Sequence, residues 1–261
     1  MAVQAGLWGL LSGSALLIGA LIGWYVSLSK RVIAAIMAFG AGVLISALSF
    51  ELMDEAWQNG GLLPVSGGFL GGAALYTGAN LLLAWRGARH RKRSDAHKRV
   101  EQQSEAARCA VPGDAGRPGN AAALAVGALL DGIPESIVIG ISLIEGGAIS
   151  FVAVAAVFLS NLPEGLSSAA GMRKEGKTAS FTFGLWTAIA LASGASAMLG
   201  YLAFAGVDPG AVAFVQALAA GAILAMVVDT MVPEAFEGTH DFAGIIAVGG
   251  FLLAFTLGKW A

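Results

Sequence analysis

The sequence predicts an all-α integral membrane protein with eight transmembrane helices. Its 261 residues are 57% hydrophobic and only 12% charged, whereas soluble domains carry about 25% charged residues. The apolar residues form stretches of about 20 residues, which is the length that an α-helix needs to cross a bilayer. Glycine is abundant, with 37 residues, and glycine allows membrane helices to pack closely. We therefore expect one membrane-embedded domain over 1–261.

Eight segments are apolar over enough residues to span a membrane. We number them spans 1 to 8 in chain order, and they cover 6–28, 32–53, 63–85, 120–144, 148–172, 179–204, 210–232 and 241–259. Short turns separate most of them. The exception is 86–119, a basic segment rich in Arg, Lys, Ser, Gln and Gly, whose composition is typical of a disordered loop.

The distribution of basic residues predicts how the chain is oriented in the membrane. Fourteen of the 15 Lys and Arg residues fall in the loops after spans 1, 3 and 5, and only Lys259 falls on the other side. Since basic loops stay in the cytoplasm, we expect 86–119 to be cytoplasmic. Eight spans then place both termini outside, in a protein of the cell's inner (plasma) membrane.

Two short segments indicate an internal repeat. Span 2 ends in Leu-Met-Asp-Glu55-Ala, and span 7 ends in Met-Val-Pro-Glu234-Ala. The two spans run in opposite directions, so their similar endings predict an inverted repeat of spans 1–3 and 6–8. Spans 4 and 5 lie between the repeats in this 3+2+3 arrangement. Transporters built from inverted repeats often bind their substrate near the midplane of the membrane.

Two Pro-Glu motifs lie near the middle of spans 4 and 5. They are Asp-Gly-Ile-Pro-Glu at 131–135 and Ser-Asn-Leu-Pro-Glu at 160–164. A tight turn near residue 145 makes the two spans antiparallel neighbours, and a rise of about 1.5 Å per residue puts both motifs at the same depth. The first and last residues of each motif are i and i+4, on one helix face. We predict that these motifs converge on one point.

The charges in these motifs require compensation. A carboxylate at the centre of a membrane helix costs about 2.5–3.5 kcal/mol, so Asp131, Glu135 and Glu164 together would cost about 8–10 kcal/mol. No Lys, Arg or His lies in the interior of any span. Pro134 and Pro163 each also free a backbone carbonyl one turn earlier. The motifs therefore predict a site for a cation from outside the chain, and negatively charged oxygen ligands suit divalent metals.

At these motifs the sequence resembles the ZIP family (Zrt/Irt-like metal transporters), over nearly its whole length. The resemblance includes the eight spans, the long loop between spans 3 and 4, and the Pro-Glu motifs, which in span 4 of the family typically read His-Asn-x-Pro-Glu-Gly. It implies transport of a divalent metal toward the cytoplasm, with spans 1, 4, 5 and 6 moving against the other four. The metal ligands that it implies are Asp131, Glu135, Ser160, Asn161 and Glu164.

The chain departs from the family pattern at positions that bear on the metal. Asp131 replaces the His of span 4, and Ser160 replaces a His or Gln of span 5. Span 6 has no charged residue that would complete a second metal position. Because the remaining ligands are oxygen atoms, manganese and ferrous iron are alternatives to zinc, the metal that the resemblance implies. Asp229 and Glu51, nearer the membrane faces, are candidate ligands for entry or exit.

Other functions would use the same charges. A proton-coupled carrier of an organic cation would use these carboxylates, and a membrane metal sensor would bind metal without transport. An enzyme is not expected: a rhomboid-type protease needs a membrane-embedded His and an intramembrane aspartyl protease needs Gly-x-Gly-Asp, and the spans contain neither. We expect no cofactor besides the transported metal and no nucleic-acid partner. The expected partners are the lipid bilayer, the metal and, from the resemblance, a second copy in a homodimer.

Overall fold

The computed structural model describes residues 1–26, 28–83, 119–145, 151–174 and 176–260. Within these ranges all regular secondary structure is helical. Two predictions fall mainly on residues outside these ranges. They are the disordered loop 86–119, of which only residue 119 is described, and the tight turn after residue 145.

Ten α-helices make up most of the described chain. They are α1 (Ala2–Tyr25), α2 (Lys30–Ala47), α3 (Met53–Gly60), α4 (Leu62–Leu83), α5 (Gly119–Glu145), α6 (Phe151–Lys174), α7 (Ala179–Phe204), α8 (Pro209–Met226), α9 (Val232–Thr239) and α10 (Ala243–Trp260). Two π-helical turns join α2 to α3 and α8 to α9. We call them the first π-turn (Leu48–Leu52) and the second π-turn (Val227–Met231). A 3-10 turn, His240–Phe242, leads from α9 into α10.

Several of these helices have the length and composition of membrane spans. Among the described residues, four continuous helical stretches are long and apolar enough to cross a bilayer: Ala2–Tyr25, Lys30–Gly60, Ala179–Phe204 and Pro209–Trp260. Their outward faces carry large apolar side chains, such as Val3 at 71% exposure and Ile245 at 70%. Such faces suit contact with lipid. The prediction of an all-α membrane protein is confirmed at this level.

The helices pack in two groups. In one group α1 packs against α6 and α7, and α5 packs against α7; in the other, α4 packs against α8, and α10 packs against α2. The groups meet mainly where α2 lies on α6 and where α8 lies on α5. The largest buried cluster lies along this boundary, with most of its side chains from α2, α8 and the two π-turns. The predicted motif helices therefore lie on the boundary between the two groups.

The first and last parts of the chain share their local structure. Both α2 and α8 have 18 residues, a five-residue π-turn follows each, and an eight-residue helix follows each π-turn. The side chains of Ser29 and Asp208 cap α2 and α8 by accepting hydrogen bonds from the backbone N–H of Val32 and Ala211, respectively. These capping bonds satisfy donors that the first helical turn leaves without partners.

The ends of α3 and α9 also match. Each helix is followed by a residue with positive φ, Gly61 at 69° and His240 at 45°. Only glycine adopts this conformation without strain, so His240 is held in a conformation that its Cβ disfavours. A residue with positive φ therefore follows both helices, and it is a glycine only after α3.

Glycines let the helix backbones approach in matching places. On α2 and α8, Gly42 lies against the carbonyl oxygen of Ala247, and Gly221 lies against that of Phe69. The contacts of Gly72 with Leu218 and of Gly250 with Phe39 form the same kind of pair. At each of these four glycines an added Cβ would overlap a backbone carbonyl oxygen. The close packing of α2 with α10 and of α8 with α4 therefore requires glycine there.

Candidate metal site

Glu135 lines an apolar cavity between the two helix groups. It is 1% exposed, and the cavity that it lines has a volume of about 10 Å³, which holds about one water molecule. The other lining residues come from both helix groups and from the first π-turn. They are Leu44, Ala47, Leu48, Leu52, Val138, Ala153, Ala156, Val157 and Ile223.

The setting of Glu135 is costly for a negative charge. A carboxylate moved into an apolar environment must gain a proton, a cation or several donors to offset the loss of water. The cavity next to the Glu135 side chain leaves space for a small particle, and the surface that lines this space is apolar.

Ser160 and Asn161 lie in the buried part of α6, as the motif predicts. Ser160 is 3% exposed and Asn161 is 4% exposed. The Ser160 hydroxyl donates to the carbonyl oxygen of Val157 at 2.9 Å. The Asn161 Nδ2 donates to the carbonyl oxygen of Ser12 on α1 at 3.2 Å. Both side chains thus donate their hydrogen bonds to backbone carbonyl oxygens. The hydroxyl oxygen of Ser160 and the amide oxygen of Asn161 remain available as ligands for a cation.

Both prolines of the motifs lie inside helices. Pro134 lies within α5 and Pro163 within α6, so neither residue contributes a backbone N–H to its helix. Both helices nevertheless continue past the proline. The prediction of helical Pro-Glu motifs in this part of the chain is confirmed.

The structure does not bring all of the predicted carboxylates together in its described part. Glu164 is half-buried on α6, and the side chain of Asp131 lies outside the described part of α5. Within the ranges given above, no group of three Asp, Glu, His or Cys side chains lies close enough to hold one metal ion. The shared three-carboxylate site therefore stays a prediction.

The packing of α5 and α6 differs from the close pairing that we expected. They contact each other only slightly, because α5 packs mainly on α7 and α8, and α6 mainly on α1 and α2. The two helices still both reach the cavity, where Ala153, Ala156 and Val157 of α6 face Glu135 of α5. Small side chains on α6 leave the space between them.

Three buried serines near the motifs were not predicted from the sequence. Ser12, Ser136 and Ser193 are at most 4% exposed, and the Ser136 hydroxyl donates to the carbonyl oxygen of Gly132 at 2.6 Å. The Ser193 hydroxyl oxygen would lie 3.5 Å from a Cβ built on Gly132. Single serines in glycine-rich helices also occur as packing residues, so the sequence contains no signal that distinguishes these three.

The two candidate entry and exit residues both lie in π-turns. Glu51 belongs to the first π-turn and is half-buried, whereas Asp229 belongs to the second π-turn and is exposed. Single π-turns inside α-helices are rare and often mark functional sites. Their placement keeps Glu51 and Asp229 as candidate ligands.

The chain was also compared with known proteins. No protein-family model matches it, and no curated protein matches it at a significant level.

Proposed function

We propose that this protein transports a divalent metal ion across the membrane toward the cytoplasm, and that Glu135 holds the ion at mid-depth. The observation that carries this proposal is the position of Glu135, a buried acidic residue that lines an apolar cavity with space for one small particle. A cation would offset the cost of burying that charge. Because the site lies where the two helix groups meet, relative movement of the groups would expose it to one side or the other.

The ligand chemistry supports a hard or borderline divalent ion. Glu135 and Glu164 provide carboxylates, Asn161 provides an amide oxygen, and Ser160 provides a hydroxyl oxygen, with Asp131 as a fifth ligand. Oxygen ligands favour manganese and magnesium, whereas zinc and iron accept a mixture of ligand types. We propose zinc, manganese or ferrous iron as the transported ion, in agreement with the resemblance to the ZIP family.

We further propose eight spans in a 3+2+3 inverted repeat. The spans are α1, α2 with α3, α4, α5, α6, α7, α8 with α9, and α10. The matching helix lengths, π-turns, caps and glycine contacts support this arrangement. In this arrangement both termini face outward, as does the end of the molecule that contains Gly61 and Asp208. The end that contains His240 faces the cytoplasm, and the membrane is the cell's inner membrane.

The packing supports a relative movement of two rigid groups. The group of α1, α5, α6 and α7 carries the Pro-Glu motifs, and the group of α2, α4, α8 and α10 contains the π-turns. Close glycine contacts join helices within a group, such as Gly165 of α6 against Leu16 of α1. The boundary between the groups around the cavity is lined largely by small and apolar side chains, over which one group can slide.

The proposal is tested by metal uptake in cells that express the variants Glu135→Gln and Glu164→Gln. We expect loss of uptake in Glu135→Gln of about 100-fold, since a metal ligand is removed. Glu237→Gln is the matched control, because Glu237 is an exposed glutamate of α9. Uptake equal to wild type in both motif variants would remove the transport function.

The size of the cavity favours this function over a carrier of organic cations. A volume of about 10 Å³ accommodates a bare ion but not an organic amine. A metal sensor on the same scaffold would bind the metal without flux. Purified protein in liposomes distinguishes a metal transporter from a metal sensor, since only a transporter moves metal into the lumen.

A further inference from the structure

A second buried polar pair lies outside the cavity, at the end of the molecule that holds Gly61 and Asp208. Gln216 of α8 is 1% exposed, and its Nε2 donates to Oε2 of Glu55 on α3 at 2.7 Å. Oε1 of the same amide is also buried, and no donor in the described part of the chain reaches it. A buried acceptor without a donor costs about 1–3 kcal/mol, so this amide lowers the stability of the fold relative to an apolar side chain of similar size.

The surroundings of the amide are apolar. The neighbouring cluster consists of Ala56, Val65, Ala213 and Ala217, with Met53 and Phe69 packed against it. Its only polar contact in the described residues is therefore the half-buried carboxylate of Glu55. A polar group in such a place is retained at a cost unless something polar or charged joins it.

The pair lies in line with the Glu135 cavity. Gln216 is seven residues before Ile223 on one helix, which is two turns or about 10 Å on the same face. Glu55 is three residues after Leu52, or about one turn away. Both Ile223 and Leu52 line the cavity. The pair thus lies one to two turns from residues that line the cavity, toward the end of the molecule that we propose to face outward.

The repeat shows that packing alone does not require an amide here. Gln216 is the eighth residue of α8, and the eighth residue of α2 is Met37. Met37 is 6% exposed and packs with Ala38 and Ala235, which is the same kind of environment of small apolar residues. The corresponding position at the other end of the molecule is therefore filled by an apolar side chain, and only one end has the amide.

We propose that Glu55 and Gln216 form a binding site for a divalent cation on its way to Glu135. A half-turn of the amide exchanges Nε2 and Oε1 and places the amide oxygen beside the Glu55 carboxylate. Divalent ions lie about 2.0–2.6 Å from their oxygen ligands, so one ion can bridge two oxygens that are about 3 Å apart. The ion takes the place of the hydrogen bond that Nε2 now donates to the carboxylate. The role in entry rests on the proposed transport function, whereas the binding site itself does not.

The test is equilibrium binding of Mn²⁺ to the purified full chain, with Glu135→Gln present in every sample to disable the central site. Gln216→Met copies the residue of the other repeat, so it is expected to fold. It should weaken Mn²⁺ binding by about 10-fold to 100-fold. Gln216→Glu adds a second carboxylate and should tighten binding.

Gln58→Met is the matched control. Gln58 is an exposed glutamine of α3 whose Nε2 donates to Asp54 at 3.0 Å, so it repeats the pairing without the burial, and its loss should leave Mn²⁺ binding unchanged. Glu55→Gln is the second variant, and it is used if Gln216→Met does not elute as a single folded species. It should weaken Mn²⁺ binding as much as Gln216→Met. Equal Mn²⁺ binding by Gln216→Met and Gln58→Met, or no Mn²⁺ binding in the Glu135→Gln background, would overturn the site. A binding loss at Gln216 alongside unchanged uptake in the Glu135 and Glu164 variants would keep this site and reject transport.

Discussion

The helices α5 and α6 carry the same Pro-Glu motif, yet the described side chains around the two motifs differ. On α5, Glu135 is 1% exposed and lines a cavity. On α6, Glu164 is half-buried, and the buried polar residues of its motif are Ser160 and Asn161, which bond to backbone carbonyls. In the proposed site the α5 motif would therefore provide the buried carboxylate, and the α6 motif would provide oxygen atoms of side chains that hydrogen bonds hold in place. The shared motif predicts that both segments lie in the same part of the molecule. The burial of each side chain determines what that motif can contribute to the site.

The largest expected effect follows from this difference in burial. Uptake should fall by about 100-fold in Glu135→Gln and by about 10-fold in Glu164→Gln, because the more buried carboxylate has fewer water molecules to replace it as a ligand. Initial rates of uptake at saturating and at limiting metal measure both values. Equal losses in the two variants would contradict the division of roles between α5 and α6.

The next effect concerns the close backbone contacts that α5 and α6 each make with a neighbouring helix. Gly140 of α5 lies against the carbonyl oxygen of Ala197, and Gly165 of α6 lies against that of Leu16. Substitution of either by Ala should lower the free energy of unfolding by up to about 3 kcal/mol, since a backbone must move to admit the Cβ. Thermal unfolding of the purified variants measures the loss.

Gly171→Ala is the control for these substitutions. Nothing in the described structure lies within 4 Å of a Cβ at Gly171, so alanine should stabilise α6 there by about 0.5–1 kcal/mol. A melting temperature that falls in Gly171→Ala as far as in Gly165→Ala would show that close approach is not the cause.

A smaller effect is expected at Asn161. Asn161→Ala removes the hydrogen bond to the Ser12 carbonyl and leaves that carbonyl buried, at a cost of about 1.5 kcal/mol. It also removes an amide oxygen from the proposed site. Unfolding and metal affinity should therefore both change, and an effect on unfolding alone would make Asn161 a link between α1 and α6 only.

The smallest effect is expected at Ser136, next to Glu135. Its hydroxyl bonds to the carbonyl four residues earlier on the same helix, and such local bonds contribute little to helix stability. Ser136→Ala should change the unfolding free energy by less than about 0.5 kcal/mol and leave uptake close to wild type. A large loss of uptake would place Ser136 among the ligands.

Part of this fold could be predicted from composition and local pattern. Apolar stretches of membrane length predict the helices, and the Pro-Glu motifs draw attention to Glu135 because a carboxylate is rare in an apolar helix. The endings at Glu55 and Glu234 predict a repeat, and the structure adds π-turns and helix caps that match.

The rest depends on contacts between distant parts of the chain. The bond from Asn161 to Ser12 joins residues 149 positions apart, and the bond from Gln216 to Glu55 joins residues 161 apart. No local pattern specifies which helices pack together, so α5 was expected on α6 and packs mainly on α7 and α8. Buried serines and a buried glutamine acquire significance only once their neighbours are known.

The most direct test of the account is anomalous scattering from crystals of the protein grown with Mn²⁺ or Zn²⁺. The account predicts an anomalous peak in the cavity, within about 2.0–2.3 Å of a Glu135 carboxylate oxygen. Strong peaks elsewhere in the protein, with none beside Glu135 at the same metal concentration, would contradict it.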